Sequence, residues 1–220
     1  MKRFKVSDLL IGLIFTLLFI SIAVVITINF RPLYYLDLRF LNIEGISGLS
    51  RNEILQNYNA LIDYSSPFFS GKLVFPTLPA SESGLGHFKD VKNIFTFFYI
   101  LGGITLVPSI IIFIRKAKNK DYSFLFVSSV MAIVLPTILG VFMAINFDEA
   151  FIVFHKIAFR NNDWLFDPST DPVINILPDT FFLHCAVMII LIVLLFSILA
   201  ACIYFSQNKH FSINDSENKG

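Results

Sequence analysis

The chain has 220 residues, 55% of them hydrophobic and 15% charged, with a mean hydropathy of +0.72. Seventeen Lys and Arg against sixteen Asp and Glu leave a net charge of +1 without a basic stripe, which excludes the electrostatic footprint of a nucleic-acid partner. So apolar a composition also excludes an ordinary soluble domain and marks an integral membrane protein.

In chain order, uncharged runs cover residues 9–28, 94–114, 122–147 and 180–207, each at least 20 residues long. At about 1.5 Å of rise per residue, each reaches across a hydrocarbon core of roughly 30 Å. Spanning helices are therefore expected at about 8–29, 93–114, 122–147 and 180–206. The first run is too long for a signal peptide, and no small-residue cleavage site follows it, so it reads as a retained helix. Nine of the seventeen cations fall in the 27 residues of 1–7, 115–121 and 208–220; the other eight spread over the 94 residues of 31–92 and 148–179. By the positive-inside rule both termini, the short loop and the tail 207–220 face the cytoplasm, and segments 30–92 and 148–179 lie outside. The expected fold class is an all-α integral membrane protein, one membrane domain over residues 1–220 with four transmembrane helices.

Outer loops of this length are functional more often than they are simple connections. The first holds Tyr34, Tyr35, Leu36, Leu38, Phe40, Leu41 and Ile43, and then Ser50-Arg51-Asn52-Glu53, which has the S-x-x-E spacing of a capping box. Ile54, Leu55, Tyr58, Leu61 and Ile62 follow at helical spacing and predict an amphipathic helix over about 51–64. Together these predict a small packed extracytoplasmic cap. In the second outer segment Phe151, Phe154, Ile157 and Ala158 predict an interfacial helix, and His155, Arg160, Asn161, Asn162, Asp163, Trp164, Asp167 and Asp171 gather behind it. Asp167-Pro168 and Asp171-Pro172 read as turns, and Asp179 or Thr180 as the N-cap of the fourth helix.

His87 stands in "SGLGHFKDVKNIFTFF", at the threshold of the second span, and His155 has a matching position in the other outer segment. An interfacial histidine is ordinarily a polar tip in its preferred place; two on one side, each in a dense polar run, favour a shared site. Other candidates have plainer readings. His184, a turn inside the fourth helix, reads as a packed or hydrogen-bonded residue, and His210 as a solvated one. Lys89 and Lys92 read as interfacial anchors and Trp164 as a headgroup marker. Cys185 and Cys202 are 17 residues apart on one helix, about 25 Å along its axis, too far to bridge. Ser81 and Ser83 lack the G-x-S-x-G elbow of an acyl enzyme. Glu82, Asp90 or Asp163 with the two histidines lack a metal-binding spacing such as H-E-x-x-H.

The stretches "VFPTLPASESGLGHFKDVKNIF" and "FHKIAFRNNDWLFDPSTDPVINILPDTFF", and the order of helices and loops over nearly the whole chain, resemble the bacterial lipoprotein intramolecular transacylase family. The resemblance implies an acyltransferase of the bacterial plasma membrane, with its site at the outer leaflet and no cofactor. It would move the sn-2 acyl chain of an S-diacylglyceryl cysteine to the α-amine of the same cysteine, giving lyso-form lipoprotein. Its partners are then diacylglyceryl-modified lipoproteins and membrane lipid. Direct attack by the amine closes an eight-membered ring, so orientation supplies much of the catalysis and no enzyme nucleophile is required. The amine must lose a proton and the glyceryl oxygen gain one. His87 is expected as base and then acid, with His155 orienting it, donating to the oxyanion or sharing the shuttle. Asp90 is expected to hold the His87 imidazole and Arg160 to balance charge; Asp163, Glu82, Tyr58 and Trp164 complete the expected supporting or substrate-binding set. The alternative reading is a non-enzymatic membrane scaffold or partner subunit carrying an outer cap.

Overall fold

The computed structural model describes residues 6–217, and their side chains apart from those of residues 135 and 208–217. Lys2, Arg3, Lys5, Lys209, His210 and Lys219, on which the expectations for the termini and tail rest, lie outside the described residues or side chains. The elements are α1 (Val6–Asn29), α2 (Arg31–Phe40), α3 (Ile43–Ser47), α4 (Arg51–Ser65), α5 (Glu82–Lys118), α6 (Ser123–Ile145), α7 (Phe147–Ala158), a 3-10 turn (Pro172–Ile176) and α8 (Asp179–Glu217). No strand occurs among the described residues. α1, α5, α6 and the Asp179–Gln207 part of α8 are long and apolar enough to cross a membrane. Their faces carry exposed large apolar residues, such as Ile100, Ile104, Val107 and Ile111 on α5, which a water-soluble protein could not present over such an area. α5 starts well ahead of its uncharged run 94–114, so His87 belongs to the polar first turns of that helix, outside the spanning stretch.

The chain divides into two compact units, and the division cuts across the four long helices. One unit comprises residues up to Ala23, Ile100–Val141 and residues from Ile189. Phe15 packs on Phe124 at 5.3 Å and Phe19 stacks on Phe196 at 5.4 Å, while Ala23 and Ala132 are fully buried and let the helices close in. Ser21, Ser128 and Ser197 are sealed from solvent, and each hydroxyl donates to the carbonyl four residues earlier at 2.7 Å, which leaves none of them unsatisfied. Lys116 bridges Asp8 at 3.0 Å and Asp121 at 2.9 Å.

The other unit comprises Val24–Tyr99 and Phe142–Met188. The expected capping box forms: the Ser50 hydroxyl accepts from the Glu53 amide, and the Glu53 carboxylate accepts from the Ser50 amide at 3.0 Å. α4 then buries Ile54, Asn57, Tyr58, Leu61 and Tyr64 on one face. Tyr58, expected from sequence in the supporting or substrate-binding set, is 3% exposed, stacked on Tyr34 at 3.6 Å and edge-on to Phe181. Its ring serves the core. The Tyr34 hydroxyl donates to the Ile176 carbonyl at 2.7 Å and joins α2 to the 3-10 turn 142 residues away. Asn57 donates to Thr77 Oγ1 at 2.5 Å and accepts from the Thr77 amide at 3.2 Å, fixing the loop after α4. His184 donates through Nδ1 to the buried carboxylate of Asp37, at 2.8 and 2.9 Å from its oxygens, tying α8 to α2.

Replacing Tyr34 with Ala should cost about 3–5 kcal/mol, because a fully buried aromatic ring is lost and the Tyr58 face is left unpacked. Tyr34→Phe removes only the hydroxyl and should cost about 1 kcal/mol. Thermal unfolding in detergent measures both; equal losses would place the stabilisation in the hydrogen bond rather than in the stack.

Candidate active site

The histidine-bearing turn of α5 is built by an N-cap and two glycines. The Ser81 hydroxyl accepts from the Gly84 amide at 3.0 Å and pairs with the Ser83 hydroxyl at 3.0 Å, so Ser81 is occupied with capping. A side chain at Gly86 would come within 3.1 Å of an Asp163 carboxylate oxygen. The glycine lets the loop that follows α7 lie directly on the helix.

His155 comes from the last turn of α7. Asn146 caps that helix by accepting from the Glu149 amide at 3.2 Å, and Ala150 and His155 mark its buried side. The His155 Nδ1 atom lies 2.7 Å from the Phe151 carbonyl. A carbonyl only accepts, so Nδ1 carries the proton and the neutral ring presents its lone pair at Nε2.

The two imidazoles meet in an aromatic enclosure, with centroids 5.8 Å apart. Phe159 meets His87 edge-on at 4.7 Å and Phe166 at 5.4 Å, and Phe88 lies 5.8 Å away. Phe151 lies 4.1 Å and Trp164 5.0 Å from His155. His87 is 5% and His155 7% exposed. The Nδ1 atom of His87 is sealed from solvent and has no hydrogen-bond partner among the described residues. Burial, reinforced by the neighbouring His155 and opposed by Asp90, pulls the His87 pKa down from 6.5 to about 4. Burial also lowers that of His155, against its hydrogen bond to Phe151 and the charge of Asp179. Both rings are therefore neutral at neutral pH.

The expected supporting residues are placed unevenly. Asp90 accepts from the Asn161 side chain at 2.9 Å instead of from His87; the loop after α7 takes its carboxylate, and it reaches His87 only through its charge. Asn161 also accepts from the Asp163 amide at 3.1 Å and, through its carbonyl, from the Trp164 indole at 3.1 Å, which sets Trp164 beside His155. Arg160 is exposed, forms no ion pair among the described residues, and lines two shallow cavities of about 330 and 540 Å³. Asp90 shares the first and Trp164 the second. Glu82 is exposed at the first position of α5. Among the described residues no three His, Cys, Asp or Glu side chains converge as a metal-ligand set. Sequence reasoning missed the cage of Phe88, Phe159 and Phe166, and it named Asn161 and Asp171 only as members of the polar cluster, without the contacts they make; the two glycines beside His87 were the signal available for a close backbone approach.

Residues 9–182 match the family described as lipoprotein intramolecular transacylase Lit. Similar solved structures include the membrane integral lipoprotein intramolecular transacylase Lit from Bacillus cereus, at 37% identity over 94% of this chain and 98% of that one, with a TM-score of 0.90. A form of the same protein with a histidine replaced by arginine aligns at 37% identity, over 94% of this chain and 95% of that one, with a TM-score of 0.83. A third, with histidine replaced by alanine, aligns at 36% identity over 94% and 96%, with a TM-score of 0.84. No curated protein sequence matches the chain.

The depressed histidine pKa values carry a stability consequence of definite sign. Between about 6.5 and 4 the unfolded chain takes up protons that the folded His87 refuses, so stability is fully present above about 6.5 and is lost as pH falls toward 4. The melting temperature of the full-length protein should decline over that window, and His87→Gln should flatten the decline; an unchanged slope would show that His87 is not held neutral.

Proposed function

This chain belongs to the lipoprotein intramolecular transacylase family Lit, and from that membership we propose the reaction at the level of atoms. The protein is a multi-pass membrane acyltransferase acting on lipoproteins. Its substrate is an S-diacylglyceryl cysteine, presented at the outer leaflet, where the cation bias of the sequence puts the two long loops. The neutral α-amine attacks the sn-2 ester carbon of its own glyceryl group, forming the C–N bond and a tetrahedral oxyanion. The amine proton passes to an imidazole, the C–O bond breaks, and the glyceryl oxygen takes a proton. The products are an N-acyl group and a free sn-2 hydroxyl, with no net gain or loss of protons. No acyl group resides on the protein.

The observation that carries this reading is the pairing of two buried imidazoles 5.8 Å apart, whose burial disfavours the charged form of each. A neutral ring is a base without first having to shed a proton. Because the Phe151 carbonyl holds the Nδ1 proton of His155, we assign His155 as the base, through Nε2, and as the acid that returns the proton to the leaving oxygen. His87, whose Nδ1 has no partner, is free to carry its proton on Nε2 and donate it to the oxyanion. This exchanges the roles expected from sequence. Arg160, exposed at both cavities, adds positive charge for the developing oxyanion. The serines support no acyl enzyme: Ser81 is engaged in capping, and among the described residues neither hydroxyl hydrogen-bonds to a histidine.

His87→Ala and His155→Ala should each lower turnover by about 10²- to 10⁴-fold with folding retained, read as the mass of the N-terminal lipopeptide product. Near-normal product from a folded variant would remove that residue from the mechanism. Since both rings are already neutral, the turnover rate should rise with pH through the substrate amine's range, reference about 7.7–8.0, rather than through 6.5. Mixing two substrates with distinguishable acyl chains should give no crossed products, and a substrate with its amine blocked should leave no acyl group on the protein by intact mass. A stable acyl adduct on Ser81 or Ser83 would replace direct aminolysis with a two-step route.

A further inference from the structure

Asp171 is 2% exposed, and no cation pairs with its carboxylate among the described residues. A buried carboxylate persists only where donors replace the lost water. Here Oδ1 accepts from the Ser81 amide at 2.8 Å and Oδ2 from the Thr170 hydroxyl at 2.8 Å, while the Asp171 amide donates to the Asp167 carbonyl at 2.8 Å. The carboxylate sits at the start of the 37-residue α5, where exposed amides and the helix dipole favour negative charge. It lies so close to Gly84 that an added Cβ would overlap Oδ1, sit 2.9 Å from the carboxyl carbon and lie 3.1 Å from a Phe166 ring carbon. Gly84 and His87 are three residues apart and share a side of the helix. Of the two groups that press on Gly84, Phe166 also covers His87, at 5.4 Å between ring centroids.

We propose that Asp171 is a positioning residue for acyl transfer: its carboxylate clamps the segment carrying Asp163, Trp164 and Phe166 onto the first turn of α5. The clamp keeps the His87 ring enclosed and aligned with His155. Its role is distinct from capping alone, because Ser81 already caps the helix through its own hydroxyl. The proposal rests on the reading that His87 takes part in the reaction, and its test includes a measurement that does not depend on activity.

The experiment compares Asp171→Ala, Asp171→Asn and Gly84→Ala in the full-length protein in nanodiscs. A synthetic diacylglyceryl-cysteine peptide is the substrate, and diethyl pyrocarbonate labelling of His87 is read by peptide mass spectrometry. Asp171→Ala should lower kcat about 10- to 100-fold with KM within about threefold, as expected when reacting groups are misplaced rather than unbound. His87 labelling should rise while that of His184 does not. Asp171→Asn keeps an oxygen for the Ser81 amide and should restore most of both readouts; Gly84→Ala, whose methyl group displaces the carboxylate, should behave like Asp171→Ala. A folded Asp171→Ala protein with wild-type kcat and a protected His87 overturns the proposal, as does a change in KM alone. If Asp171→Ala does not fold, Gly84→Ala decides: wild-type kcat with a protected His87 overturns the proposal, and lowered kcat with raised labelling supports it. An active His87→Ala enzyme would defeat the reaction reading, whereas the labelling would still report whether the clamp exists.

Discussion

Taking an imidazole out of water penalises its charged form more than its neutral one, and the site depends on that inequality. The phenylalanines around His87 supply apolar surface on several sides, and the second histidine penalises a charge further. A solvated pair would be partly protonated at neutral pH and would repel the ammonium form of a substrate amine. An enclosed pair is uncharged. The price is a buried Nδ1 without a partner on His87, worth about 1–3 kcal/mol, which the surrounding aromatic packing must offset.

That packing draws on residues far apart in sequence. His87 belongs to the first turns of α5, His155 and Phe159 to the end of α7, and Phe166 to the loop beyond. Asn161 gathers the polar side of the same loop, spending its amide on Asp90, its side-chain oxygen on the Asp163 backbone and its carbonyl on Trp164. Elsewhere in this unit the same economy recurs: Asn57 satisfies Thr77 twice, and Tyr34 reaches the Ile176 carbonyl. In apolar surroundings such directional contacts fix which of several similar packings is adopted, because each misplacement strands a polar group.

How much of this was legible follows from the range of each signal. The four spans were readable because twenty uncharged residues in a row state their own environment, and the start of α4 because a capping box is written in four consecutive residues. His87 and His155 could be paired from their shared depth at two thresholds. The role of Tyr58 could not: its apolar face looks alike whether it meets a substrate or Tyr34, 24 residues earlier. Asp90 followed the local i, i+3 expectation toward His87 until a residue 71 positions away claimed its carboxylate. The Asp37–His184 tie joins residues 147 apart, and no spacing rule can announce it. The glycines beside His87 were visible, but glycine reports only that something comes close, not what.

Two glycines in the first turns of α5 also have a cost, roughly 1 kcal/mol each relative to alanine in a helix. Those turns therefore have little intrinsic tendency to stay wound, and the contacts of Asp171 and Asp163 lie where the propensity is weakest. Winding of the helix start and seating of the loop become a single local folding event: amides of 84–88 exchange with solvent when the loop lifts, and the loop loses its seat when the turns fray. Opening the enclosure then requires no motion of the spanning helices, only the cooperative melting of one short patch at the polar end of α5.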